Sequence, residues 1–477
     1  MKPQTSLTRA ATGGALWMGG SLGLQVGIGL VAQVILATIL SARDFGLFAL
    51  VVSISYVLSS VGNFGIKTLM AQRSPGQIAA IRAPVFRAGM WAAALSALLL
   101  AAISPLAARL LDEPDLQMLL LVTASTFLLK PYTAIATAVL QARLEFARVA
   151  WALLLAAVSH YVVAIILAEA GYGALSLVVG MQVNAVVMVV ALWVFSHRHT
   201  EPRAPGAVST RDAATMARWP LAGEVAMDAT GRIDFLMLGL FVTTEVVGLY
   251  YFAFQLVLRL NELLSGVARN VLFPALARMS DRRERQGAAV LRAGTMMALA
   301  GGAGAAALVA SLLPIEEILW GGRWEAAVPA MMLLASVAPG QAIQSAVEQL
   351  LKARAQFRRW TAVITVRAVG SALVALVVGA VLGDSATATG IAVAIAIFIV
   401  VEAIIEVIVI GAGLGIPVGR YWMTTLPIWA VLVAGGWGVV GIVSGWNLDP
   451  WVAAAMSTGM VVLLAAGVGA VLWRLNR

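Results

Sequence analysis

Apolar runs of about twenty residues recur along almost the whole chain, and most of the charge lies in the gaps between them. These runs predict about fourteen transmembrane helices, at 14–40, 46–70, 84–108, 116–138, 149–168, 173–195, 220–243, 247–275, 289–313, 326–350, 360–382, 386–410, 424–444 and 450–473. A helix rises about 1.5 Å per residue, so about 20 residues cross a hydrocarbon core about 30 Å thick. Inside that core every backbone N–H and C=O must be satisfied by protein, which leaves helices or closed barrels. The runs are too long for barrel strands, which alternate over about ten residues. Composition agrees: 61% of residues are hydrophobic and 12% charged, against about 25% charged in a soluble domain. The chain is therefore predicted to be an all-α polytopic membrane protein.

The gaps alternate in charge. One set carries Lys2, Arg9, Arg73, Arg82, Arg143, Arg148, Arg203, Arg211, Arg278, Arg285, Lys352, Arg359 and Arg420. The other has only Arg43, Arg109 and Arg323 as cations, beside acids such as Asp44, Glu113, Asp115, Glu169, Glu317 and Asp449. The positive-inside rule places the first set, and both termini, in the cytoplasm, and it accounts for the net charge of +9. The first apolar run is too long for a signal-peptide core, so no cleavage is expected. Cysteine is absent and there are three histidines, His160, His197 and His199. That excludes thiol chemistry and argues against a His/Cys metal site. No GxxxxGK[ST] loop is present, so no ATPase is encoded. The external gaps are short, which argues against a glycosyltransferase or polymerase with a catalytic loop. No cofactor and no enzymatic activity are expected, and nothing points to nucleic acid.

The longest polar stretch, 196–219, holds Pro202 and Pro205 and reads as a cytoplasmic linker. It separates an N-terminal lobe of six spans, residues 1–195, from a C-terminal lobe of six, residues 220–411. Residues 412–477 supply two additional spans. The lobes echo each other. Leu140-Gln-Ala-Arg-Leu-Glu-Phe-Ala-Arg148 matches Leu351-Lys-Ala-Arg-Ala-Gln-Phe-Arg-Arg359, and Gly46-Leu-Phe48 matches Gly248-Leu-Tyr250. Pro131-x-x-Ala-Ile-x-x-Ala-Val139 also matches Pro339-x-x-Ala-Ile-x-x-Ala-Val347, but out of step with the first match by three residues. Six spans per repeat give both lobes one membrane orientation, which predicts two parallel lobes around a central cavity.

Charges within spans are costly unless they are paired or face water. They concentrate in the hairpin 220–274. Its outgoing limb carries Glu224, Asp228, Arg232 and Asp234; its returning limb carries Arg259, Glu262 and Arg269. Glu224, Asp228 and Arg232 are spaced by four and would line one side of a helix. Two readings stand here, a buried salt-bridge cluster that fixes packing or a solvated cationic site with acids that exchange protons. Lys130, before Pro131, lies near mid-depth in the first lobe. Lys67, Arg269, Arg367, Glu348 and Glu406 lie within about two turns of span ends, where long side chains reach the interface.

Several stretches resemble the lipid-linked oligosaccharide flippases of O-antigen and exopolysaccharide synthesis. They are Ser41-Ala-Arg-Asp-Phe-Gly-Leu-Phe48, Gly62-Asn-Phe-Gly-Ile-Lys67, Gln72-Arg73, Leu140–Arg148, Arg232-Ile-Asp234, Gly248-Leu-Tyr250 and Phe273-Pro274. That family belongs to the multidrug/oligosaccharidyl-lipid/polysaccharide exporter superfamily. The resemblance implies alternating access in the bacterial inner membrane, with an undecaprenyl-diphosphate-linked sugar repeat as substrate and coupling to H+ or Na+. It also implies a fold shared with multidrug extruders and work alongside a polysaccharide polymerase and glycosyltransferases. A diphosphate calls for Arg and Lys. The candidates are Arg232, Arg259, Arg269 and Lys130, then Lys67 and Arg367, with Glu224, Asp228, Asp234 and Glu262 as ion-coupling candidates. Span 14–40 has no charge, where the peptidoglycan-precursor branch is expected to carry an Arg; this favours an exported polysaccharide. The alternative is a multidrug or organic-cation antiporter on the same fold, which the six intramembrane cations disfavour.

Overall fold

The structure is a computed structural model describing residues 4–63, 70, 75–196, 225, 232–268, 272–279, 283–446 and 448–475. Helices make up the fold, and no strand occurs among the described residues. By internal contacts the chain divides into two units, Met1–Leu240 and Phe241–Arg477. The first holds α1 (Gln4–Ile39), α2 (Ala42–Asn63), α3 (Pro75–Leu110), α4 (Asp115–Phe127), α5 (Lys130–Ala142), α6 (Phe146–Glu169), α7 (Ala174–Ser196) and the short α8 (Ile233–Gly239). The second holds α9 (Thr244–Val267), α10 (Phe273–Arg278), α11 (Arg283–Trp320), α12 (Val328–Ala353), α13 (Phe357–Leu382), α14 (Ala388–Gly413), α15 (Val418–Ser444) and α16 (Pro450–Leu475).

Eleven helical segments among the described residues are long and apolar enough to cross a membrane. Each coincides with one predicted span. The other three predicted spans, 46–70, 220–243 and 247–275, include residues outside the described ones, and α2, α8 and α9 overlap them. Many side chains face outward without polar cover. Leu98, Val381, Met423 and Leu463 are each more than two-thirds exposed, as suits a surface solvated by lipid tails.

The sequence repeat reappears as backbone geometry. α5 and α12 end at Ala142 and Ala353, and Arg143 (φ −89°, ψ 1°) and Arg354 (φ −88°, ψ 9°) cap them. Leu144 and Ala355 then take left-handed φ values of 61° and 54°. Glu145 N–H donates to Leu140 O, and Gln356 N–H donates to Leu351 O, both at 2.9 Å. Leu144 N–H to Gln141 O and Ala355 N–H to Lys352 O complete two Schellman turns. Glycine usually fills the left-handed position, since other residues lose about 1–2 kcal/mol there. Leu144→Gly and Ala355→Gly are each expected to stabilise the purified protein by about 0.5–1 kcal/mol, after allowing for glycine's freer unfolded chain. Thermal unfolding in detergent measures this; lower midpoints for both variants would refute it.

The turns also settle the out-of-step proline match. With Ala142 aligned to Ala353, Pro131 and Pro339 are not equivalent. Pro131 lies in the first turn of α5, where no N–H is needed. Predicted span 116–138 is therefore broken at 128–129. Pro339 sits inside the continuous α12, the most buried of the eleven spans, so neighbouring helices hold it through the missing hydrogen bond.

Small residues set the packing. In the first unit a Cβ on Gly180 of α7 would come 2.9 Å from the backbone O of His160 on α6, so glycine permits that close approach. In the second unit Gly436 of α15 lies against the α11 backbone, where a Cβ would meet Ala306 Cα at 2.8 Å. Tyr421 Oη donates to Ile343 O (2.8 Å), and Trp429 Nε1 donates to Ser336 O (2.7 Å). The two additional spans thus join the core of the second unit, with Leu432 and Ile428 beside Met297 and Val347.

Loop contacts group the helix ends as the charge alternation predicts. Arg43, at the start of α2, pairs with Glu113 (2.5 Å) and Asp115 (3.6 Å) at the α3–α4 turn. The Glu113 hydrogen bond and charge raise the Arg43 pKa above its ordinary value. Asp44 Oδ1 accepts from Ala174 N–H at the start of α7 (3.0 Å). At the opposite ends of the helices, Arg148 donates to Phe195 O (3.3 Å). In the second unit Arg354 donates to Gln286 Oε1 (2.9 Å) and Leu414 O (2.8 Å), so one guanidinium ties three helix ends.

Candidate functional site

In the first unit two predicted cations meet at one ring. Tyr56 lies in α2, Lys130 opens α5, and Arg232 immediately precedes α8. The Arg232 guanidinium carbon stands 3.6 Å from the Tyr56 ring centroid. Lys130 Nζ stands 5.7 Å from the same centroid and 5.3 Å from that of Phe127. Each cation–π contact contributes about 0.5–2 kcal/mol, more as water is excluded. The packing of α8 on α2 brings them together, and Gly239 permits it: a Cβ there would meet Leu50 Cδ2 at 2.5 Å.

Arg232 has non-helical φ and ψ of −148° and −17°. It therefore caps α8 rather than continuing the helix. Asp234 is buried, and its Oδ1 accepts from Phe235 N–H at 3.0 Å. An acid in the first turn complements the positive end of the helix. Glu224, Asp228, Lys67 and Arg269 lie outside the described residues.

In the second unit Arg259 and Glu262 form an ion pair at 3.0 Å, one turn apart on α9. Beside them Gln255 Nε2 donates to Tyr251 Oη (2.7 Å), and Asn261 is hydrogen-bonded to Gln341 of α12. The hairpin's described charges thus split, Arg232 and Asp234 in one unit, Arg259 and Glu262 in the other.

Arg367 forms a denser cluster within the second unit. Its guanidinium on α13 contacts Glu348 of α12 (2.9 Å) and Glu402 (2.9 Å) and Glu406 (2.6 Å) of α14. Gln344 Nε2, one turn before Glu348, donates to both Glu402 (2.5 Å) and Glu406 (2.7 Å). The expectation that Arg367, Glu348 and Glu406 reach an interface is corrected here. Glu348 and Glu406 are buried and turned toward Arg367, because a carboxylate near a guanidinium in apolar surroundings gains more from pairing than from a partial reach to water. Glu402 is a further acid within predicted span 386–410 to which the sequence assigns no role. Its signal was the four-residue spacing of Glu402 and Glu406 in an otherwise apolar helix. Among the described residues no group of acids and histidines is arranged to hold a metal ion.

The fold and these charges define a multi-pass membrane protein whose apolar helical units enclose ionised side chains. The chain belongs to the polysaccharide biosynthesis protein family, whose model matches residues 35–329, more than half of its length. It is 22% identical over 355 residues to the lipopolysaccharide biosynthesis protein WzxC of Escherichia coli (strain K12), covering 74% of this chain and 71% of that one. It is 25% identical over 335 residues to the succinoglycan biosynthesis transport protein ExoT of Rhizobium meliloti (strain 1021), covering 69% and 66%. Among solved structures the lipid II flippase MurJ, in an inward closed conformation, superposes with a TM-score of 0.74 at 12% identity, covering 96% of this chain and 99% of that one. An inward-facing multidrug resistance MATE transporter follows at 0.61 and 14%, covering 82% and 94%. At such identities both are likenesses of fold.

Proposed function

We propose that this chain is a flippase, a transporter rather than an enzyme. Its substrate is an undecaprenyl-diphosphate-linked oligosaccharide, moved across the bacterial inner membrane for exopolysaccharide, capsule or O-antigen synthesis. The observation that carries the reading is the convergence of Arg232 and Lys130 on Tyr56. Two cations gathered at one ring are placed to contact one anion together. A diphosphate suits a forked guanidinium and an ammonium together. The relatives named for lipopolysaccharide and succinoglycan synthesis, and the membership in a polysaccharide biosynthesis family, support a sugar-bearing substrate.

In this reading the protein works by alternating access, with both termini cytoplasmic. The lipid tail stays in the bilayer while the diphosphate passes over cationic side chains. Arg259 extends that role to the second lobe, beside hydrogen-bonding groups suited to sugar hydroxyls. A polymerase and glycosyltransferases are the expected working partners, and H+ or Na+ exchange is the expected drive.

The test is a deletion strain. A short undecaprenyl-diphosphate oligosaccharide is expected to accumulate out of reach of a periplasmic probe while surface polymer disappears, and the intact gene reverses both. Unchanged polymer together with new sensitivity to cationic dyes would instead assign an organic-cation extruder.

A further inference from the structure

The Arg367 cluster does not balance in charge. Three carboxylates, Glu348, Glu402 and Glu406, surround one guanidinium. Among the described residues the other polar side chain bonded to these carboxylates is Gln344, which is neutral. If every carboxyl were ionised, the cluster would hold two uncompensated negative charges in an apolar interior. The hydrogen bonds show where the imbalance falls. Both oxygens of Glu402 accept, Oε1 from Arg367 and Oε2 from Gln344. Glu406 Oε2 accepts from Arg367 and from Gln344. Among the described residues nothing donates to Glu406 Oε1, which is buried in a side chain only 3% exposed. A bare carboxylate oxygen in that position forfeits its full desolvation cost.

We propose that the Arg367 cluster is a proton-binding site, in which one exchangeable proton resides on Glu406 and leaves to water when the cluster opens. Protonated, the cluster carries one excess negative charge and keeps α12, α13 and α14 together. Deprotonated, it carries two, and it separates or admits water. The proton belongs to the cluster as a whole, because interacting carboxyls titrate as a set. The groups around Glu406 are Glu402 on its own helix, Gln344 and Glu348 from α12, and Arg367 from α13. From α15 comes Tyr421, whose hydroxyl is committed to Ile343 O. From α9, Arg259 and Glu262 are engaged with each other. None of these supplies a second cation to the site. The inference stands on the cluster's geometry and holds whatever the chain transports.

Infrared spectroscopy of the purified full-length protein in detergent tests it. At neutral pH a protonated carboxyl C=O band is expected, separate from the carboxylate bands. It should shift on transfer to D2O, disappear in alkali, and be absent from Glu406→Gln. A folded Glu406→Gln protein that keeps the band, a wild-type band indifferent to D2O, or no such band at neutral pH would overturn the proposal. If Glu406→Gln does not accumulate, Glu402→Gln and the wild-type titration decide. A band retained in Glu402→Gln and lost only in alkali supports the site, and its absence from wild type refutes it.

Discussion

Replacing Arg232 with Ala is expected to reduce polymer export by about 30- to 140-fold while the protein still inserts and accumulates. The figure follows from losing charge-assisted hydrogen bonds worth about 2–3 kcal/mol, at 1.4 kcal/mol per tenfold change. Lys130→Ala should cause a loss of the same kind, smaller because an ammonium lacks the guanidinium fork. Their common neighbour gives a sharper check. Tyr56→Phe keeps the ring face that both cations use and should export near normally. Tyr56→Ala removes it and should lose about 3- to 10-fold, the scale of one cation–π contact. Export is read as surface polymer, and insertion as membrane-fraction protein. Normal export from Arg232→Ala and Lys130→Ala together would remove the pair from the transport site.

Why the helices and their loops were legible, and this pair was not, has a physical basis. Spanning segments are selected by apolar length, which is a local property, so eleven spans coincide with apolar runs found by hydropathy alone. The loop repeat was legible because a helix stop is also local: Leu-x-Ala-Arg recurs where two Schellman turns recur. The proline echo misled because composition matched while register did not. By contrast, the Arg232–Tyr56 contact joins residues far apart in sequence, and Tyr56 looks like any aromatic in an apolar run. Arg232 also caps α8, a backbone turn that apolar length does not reveal. Arg367 is visible in sequence as a charge, yet Glu348 and Glu406 read one by one as interfacial. Only their convergence from α12, α13 and α14 shows a buried cluster.

That cluster yields the largest expected effect on folding. Arg367→Ala would leave Glu348, Glu402 and Glu406 around a site with no cation. Removing one partner of a buried ion pair typically costs about 3–5 kcal/mol, a large share of the 5–15 kcal/mol that holds a typical domain folded. Arg367→Ala is therefore expected to fall below about a tenth of wild-type membrane abundance, or to unfold in detergent at a much lower temperature. Arg367→Lys should be intermediate, because one ammonium cannot serve three carboxylates with the geometry of a guanidinium. Removing the charges together should reverse the damage: Arg367→Met combined with Glu402→Gln and Glu406→Gln eliminates most of the desolvation cost and is expected to accumulate better than Arg367→Ala alone. Thermal unfolding of the purified variants reads each step. If Arg367→Ala is as stable as wild type, the carboxyls are neutral or hydrated without it, and the ion pairs are not what holds α12, α13 and α14 together.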